Sequence, residues 1–223
     1  MIRMPLIRRA LPLALAAALV LPAAAFAQAR PAATPAASTA QAGSPSQLVL
    51  GNTERVLKTL ESRRAEFTRD RGALQSFIDS EFNTMFDRDY AARQVLGRHG
   101  RGASDADVKL FGDALAENLM RKYGSSLLDF NSQLRVRIKS EAPLPRGLGV
   151  RVSSELLRSG GEPIPVDYLM RQSGGTWKVF DVMVEGVSFV RTFREQFDTP
   201  LQRKSIPDVA RELRSGQIEA VVE

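Results

Sequence analysis

From residue 134 onward the apolar residues of this chain stop recurring every three or four positions and recur every two. Leu134, Val136 and Ile138 alternate with Arg135, Arg137 and Lys139. Pro143, Pro145 and Gly147 then turn the chain, and Leu148, Val150 and Val152 alternate with Arg151 and Ser153. After Gly160-Gly161, Ile164, Val166, Tyr168 and Met170 alternate, and Gly174-Gly175 turns into a fourth run. Alternation marks half-buried strands. Parallel neighbours need a crossover of a dozen or more residues, which none of these connections has, so the four strands form an antiparallel meander.

The fourth run, residues 176–184, is apolar on both sides. Phe180, Val182 and Val184 share one face, and Trp177, Val179 and Met183 the other. That makes it a central strand. Gly186 offers the conformational freedom for a sharp turn, and Val187, Val190, Phe193 and Phe197 follow at helical spacing. Between residues 46 and 134 the period is helical. Ser44 or Ser46 caps a helix carrying Leu48, Val56, Leu57 and Leu60. Residues 73–86 form a second helix with Phe77, Ile78, Phe82, Met85 and Phe86, and residues 90–96 a third that stops at Gly97. Ser104, with Asp105 and Asp107 at the positive dipole end, opens a longer helix bearing Phe111, Leu115, Leu119 and Tyr123, and Leu127, Leu128 and Phe130 extend the pattern. A last helix around Pro207 carries Val209 and Leu213. The expected fold is α+β: N-terminal helices packed on a four-stranded antiparallel meander sheet, with a C-terminal helix or two.

Residues 1–27 have the three parts of a secretory signal. Arg3, Arg8 and Arg9 supply charge, residues 11–21 are apolar, and Ala25-Phe26-Ala27 is a small-x-small cleavage site. The apolar run is shorter than the roughly 20 residues a membrane-spanning helix needs. No cysteine follows the cleavage site, which excludes a lipoprotein. Residues 28–46, rich in Ala, Pro, Ser and Thr, read as a disordered leader, 47–215 as one domain and 216–223 as a frayed tail. The formal charge of +6 includes three signal arginines, so the mature chain carries 6 − 3 = +3. That balance, with scattered basic residues, gives no nucleic-acid footprint. With 0 cysteines, an exported chain holds its fold by its core alone.

The single histidine, His99, leaves little room for hydrolytic triads or histidine metal sites. No phosphate-binding loop, dinucleotide fingerprint, metal motif or nucleophile elbow is present. Ser188 has no histidine near it in sequence. Asp181 and Glu185 share a strand face with Met183 between them, and either pair as catalytic carboxylates or neutralise Lys178 and Arg194. His99 reads as a solvent-exposed loop residue. The abundant bulky apolar residues, 11 Phe among them, fit a packed core, and composition alone shows no cavity.

Trp177-Lys-Val-Phe-Asp-Val-x-Val-Glu-Gly-Val-Ser-Phe-Val190, with Phe193-Arg-x-x-Phe197 after it, resembles the signature of the periplasmic phospholipid-binding MlaC family, also called the toluene-tolerance Ttg2 family. Phe86-Asp87, Tyr90-Ala-Ala-Arg93 and Val95-Leu-Gly97 match a second stretch, and residues 104–111 with Tyr123 a third. Where the family often has an aromatic residue soon after Leu-Gly, this chain has Arg98-His-Gly-Arg-Gly102. The resemblance implies a non-enzymatic periplasmic carrier that needs no cofactor, carries phospholipid as cargo, and shuttles it between an outer-membrane lipoprotein complex and an inner-membrane ATP-binding-cassette transporter complex. It implies acyl contacts at the strand residues Val136, Val150, Val152, Tyr168, Met170, Phe180, Val182 and Val184. The corresponding helical contacts are Phe86, Tyr90, Phe111, Leu115, Val187, Val190 and Phe193. Arg93 and Arg194 match family positions, for head-group contact or structural pairing. The basic loop at Arg98 and Arg101 and the strand face of Arg135, Arg137 and Lys139 are candidate docking surfaces for the membrane complexes. Two other readings stay open: a small periplasmic isomerase or hydrolase with a cone-shaped pocket, in which Asp181, Glu185 and His99 converge, and a protein-binding adaptor with a filled core.

Cleavage after Ala27 predicts that N-terminal sequencing of the exported protein starts at Gln28; an intact N-terminus in the membrane fraction would contradict it.

Overall fold

The computed structural model describes residues 43–128, 134–158 and 161–221. The expected signal, residues 28–42 of the leader, Phe130 and Gly160 lie outside the described residues. Seven α-helices occur among these: α1 (Pro45–Ser62), α2 (Arg64–Arg69), α3 (Arg71–Met85), α4 (Arg88–Leu96), α5 (Asp105–Tyr123), α6 (Phe189–Arg203) and α7 (Ile206–Ser215). All except α2 start on a Ser or Asp whose side chain accepts from a backbone N–H in the first turn: Ser44, Asp70, Asp87, Ser104, Ser188 and Ser205. Each such cap satisfies a donor that the helix itself cannot reach, and losing one costs about 1 kcal/mol.

The strands are β1 (Arg135–Pro143), β2 (Val150–Leu157), β3 (Ile164–Ser173), β4 (Thr176–Val184) and β5 (Val187–Ser188). They pair in sequence order, all antiparallel, as the alternation requires. Two features differ from the sequence reading. First, the sheet has a fifth strand. Glu185 (φ 52°) and Gly186 (φ 83°) both take positive φ, the geometry of a tight two-residue hairpin turn, so Val187 pairs with Val184 and Ser188 with Met183. The helix therefore starts at Phe189, and Val187 belongs to a strand rather than to the helical stripe. Second, β4 is bulged. Leu169 pairs with Asp181 and Met170 with Val179, which leaves Phe180 as the extra residue. A bulge reverses strict alternation, so Val179, Val182 and Val184 all pack with the same cluster. Phe180 instead meets Tyr90 of α4 edge to face, with ring centroids 5.2 Å apart.

The buried apolar residues form three clusters. One is wholly helical: Val95, Leu96, Phe111, Leu115, Phe193, Phe197, Val209 and Leu213 from α4, α5, α6 and α7. The second lies on the sheet, where Val152, Val166, Tyr168, Met170 and Val179 pack with Val49 of α1. The third joins Leu60, Phe67, Leu74 and Leu128.

Residues 216–221 do not fray. Ala220 is fully buried in the helical cluster, and its N–H donates to Asn118 Oδ1 at 2.9 Å. Asn118 Nδ2 donates to the carbonyls of Leu213 (2.8 Å) and Ile218 (3.1 Å). A buried amide with all these partners outweighs the entropy of a short terminal segment, a signal that residue type alone does not carry. Asn118→Ala strands these backbone groups and should cost about 2–4 kcal/mol in urea unfolding. A loss under roughly 0.5 kcal/mol would mean the tail is not held this way.

Candidate functional site

An apolar surface of the sheet lies under α1. Val152, Val166, Tyr168, Met170 and Val179 are buried there, with Val150, Leu156, Ile164, Trp177, Val182 and Val184 around them. Close strand approach is needed at one corner. Gly149 takes φ 137°, and the Met170 carbonyl oxygen stands where a Cβ would be, so only glycine fits.

The cover is α1, which brings Leu48 and Val49 to this cluster. Its buried residues are Pro45, Val49 and Leu60. The N-terminus of α1 is clasped to β1, since Ser46 donates to Glu141 Oε2 through its N–H (3.1 Å) and its hydroxyl (2.6 Å). Arg55 ties α1 to Glu81 of α3. Beneath the helix, Tyr168 is hydrogen-bonded to Thr53, and burial pushes its phenol above the ordinary value. Met85 and Phe86 close a side of the cluster. Phe86 is fixed by a bridge to Val179, and the Asp87 N–H donates to the Val179 carbonyl at 2.8 Å.

Of the fifteen residues expected to contact acyl chains, seven gather on this face: Phe86, Val150, Val152, Tyr168, Met170, Val182 and Val184. Phe111, Leu115, Val190 and Phe193 do not join them, because they pack in the helical cluster. Phe180 and Tyr90 form their own pair, for the reason given by the bulge. Val187 is 39% exposed at the start of β5 and joins neither cluster. Val136 lines a separate cavity, described below. Sequence reasoning missed Val49 and Thr53, although Val49, Thr53, Val56 and Leu60 recur at steps of four, three and four.

The polar candidates have structural partners. Asp181 is buried and accepts from the Ser188 hydroxyl (2.6 Å) and the Val190 N–H (3.0 Å), which fastens the start of α6 to β4. Glu185 stands exposed in the turn, so the two acids are not a pair, and neither meets Lys178 or Arg194. Those cations instead donate to helix C-termini: Lys178 to the Asn83 and Thr84 carbonyls of α3, and Arg194 to the Gln94 carbonyl of α4 at 2.6 Å. Arg93 pairs with Asp105. His99 is half-buried rather than exposed, and its Nε2 lies 2.9 Å from Asp198 Oδ1. That contact, with Arg98 and Gln202 nearby, holds the Asp198 carboxyl below its ordinary value. In the candidate docking face, Arg137 and Lys139 both reach Glu155 on β2.

Two cavities are open to solvent. One of about 360 Å³ lies between α1, the start of α2, Leu127 and residues 134–136. The other, about 290 Å³, is lined mostly by polar and charged residues, Asn83, Asp87, Arg88, Asp89, Lys109, Asp113, Ser173 and Lys178, together with Phe86. Among the described residues no group of His, Cys, Asp or Glu is arranged to hold a metal ion.

Comparison with known proteins gives a consistent picture. The family described as MlaC protein matches residues 51–215. The toluene tolerance protein ttg2D of Pseudomonas putida is 27% identical over 166 residues, which is 74% of this chain and 76% of that protein. The intermembrane phospholipid transport system binding protein MlaC of Haemophilus influenzae is 19% identical over 182 residues, 80% of this chain and 85% of that protein. A solved phospholipid-binding protein from Ralstonia solanacearum, in complex with a phospholipid, has the same fold. Its TM-score is 0.67 at 22% identity, over 77% of this chain and 97% of that one.

The buried phenol gives a pH prediction. Tyr168 keeps its proton in the folded state where the unfolded chain has lost it. Its stabilisation is therefore complete below about pH 10 and falls as the pH rises further. Tyr168→Phe removes this ionisation, so its urea midpoint should decline less than wild type between pH 9 and 11 (about one unit either side of the ordinary tyrosine value). Equal declines would mean that Tyr168 does not ionise on unfolding.

Proposed function

The chain belongs to the MlaC family, and from that premise we propose that it is a periplasmic phospholipid carrier whose acyl cargo lies against the sheet face beneath α1. The observation that carries the reading is an apolar sheet surface covered by α1, with Met85 and Phe86 closing one side. A carrier is physically required for such cargo. Each methylene exposed to water costs about 0.8 kcal/mol, so a 16-carbon chain costs roughly 12 kcal/mol, and a diacyl lipid leaves a bilayer very slowly by itself. The protein lowers that barrier by offering apolar surface in place of lipid. The head group stays at the rim, since burying it unpaired is costly. Loading and unloading take place at an outer-membrane lipoprotein complex and an inner-membrane ATP-binding-cassette complex, and the transporter supplies the energy.

A hydrolase or isomerase would need Asp181, Glu185 and His99 to converge. Asp181 is engaged by Ser188 and Val190, His99 by Asp198, and Glu185 stands in a surface turn. No observation favours that reading. The test is native purification from a bacterial periplasm, solvent extraction and mass spectrometry. Phospholipid in near-stoichiometric amount is the expected result. Protein that carries none, after gentle purification, overturns the carrier reading.

A further inference from the structure

We infer that phospholipid enters at the seam between α1 and β1, through the 360 Å³ cavity, with Lys58 and Arg135 receiving the phosphate of the head group. This rests on the carrier reading and assigns its mouth. The cavity is built as an amphipathic opening. Leu57 and Leu60 of α1, Leu127, Leu134 and Val136 give an apolar lining. Glu54, Lys58, Glu61, Arg64 and Arg135 also line it, so cations outnumber carboxylates by three to two. Arg64 already donates to the Leu128 carbonyl. Lys58 and Arg135 are exposed and have no ion pair among the described residues, unlike Arg137 and Lys139, which share Glu155 on the same strand.

The position connects the cavity to the proposed cargo site. Val136 pairs with Leu156 across β1 and β2, and Leu156 packs in the cluster beneath α1. On the other wall, Leu60 and Leu127 belong to the cluster of α1, α2 and α3. The cavity therefore lies at the join between two apolar clusters, where separation exposes apolar surface that acyl chains re-cover, at the cost of the Tyr168–Thr53 hydrogen bond. At 360 Å³ it is near the lower end of the roughly 300–1,000 Å³ typical of small-ligand pockets, too small for a diacyl lipid. Entry widens it by moving α1 off the sheet. The Ser46–Glu141 clasp at the far end of α1 leaves the cavity end as the one that opens.

The test uses delipidated mature protein and vesicles of phosphatidylglycerol containing a fluorescent phospholipid. Val136→Trp fills the mouth, and should lose most phospholipid uptake while the melting temperature of the delipidated protein is unchanged. Lys58→Glu with Arg135→Glu tests the rim without touching the core. Uptake should slow roughly tenfold at low salt and recover partly at high salt. Arg203→Glu with Arg211→Glu makes the same change in net charge at a remote surface, and should leave uptake at the wild-type rate. Wild-type uptake by both mouth variants, or equal slowing by the remote pair, overturns the assignment of the mouth. Wild-type protein that takes up no phospholipid at all would instead overturn the carrier reading beneath it.

Discussion

Burial of one sheet face beneath α1 is the contact on which the remaining architecture depends. A meander of short strands cannot leave Val152, Val166, Tyr168, Met170 and Val179 in water. The helix that covers them contributes few apolar side chains and is held partly by polar contacts, from Ser46 to Glu141 and from Arg55 to Glu81. In the proposed reading, acyl chains supply the same kind of surface as Val49 and Leu48 and take the place of the helix against the sheet.

The other half of the molecule is built differently. The helical cluster is filled by Phe111, Phe193 and Phe197, with ring centroids of Phe111 and Phe197 5.5 Å apart. Its boundaries are fixed by buried polar groups with complete sets of partners. Asp181 fastens α6 to the sheet, and Asn118 fastens the chain end to α5. Buried groups of this kind are costly to strand and so favour one arrangement. In the proposed carrier, this helical half is the frame against which α1 moves.

Much of the fold was legible because it follows from period and caps. The meander followed from alternation and short turns, and the helix starts at Ser44 and Ser104 from their side chains. The site was legible only in part. Strand alternation places Val150, Val152, Tyr168, Met170, Val182 and Val184 on one face, as the structure has them, but also Phe180, which the bulge turns away and which no propensity marks. The helical candidates Phe111, Leu115 and Phe193 pack in the helical cluster, since which cluster an apolar helical residue joins depends on tertiary packing. Helical spacing from Val187 predicts a strand-to-helix turn at Gly186, whereas positive φ at both Glu185 and Gly186 makes a hairpin. The chain end at residues 216–221 lacks periodicity, and its order comes from Asn118, about 100 positions away.

The most direct test of the account is to see which residues touch the acyl chain. Mature protein loaded with a phospholipid that bears a diazirine at the end of one acyl chain would be irradiated, digested and mapped by mass spectrometry. The account predicts adducts on the sheet face, in peptides carrying Val152, Tyr168, Met170 or Val179, and on the facing side of α1. Adducts confined to peptides of the helical cluster, those carrying Phe111, Phe193 or Phe197, would contradict it.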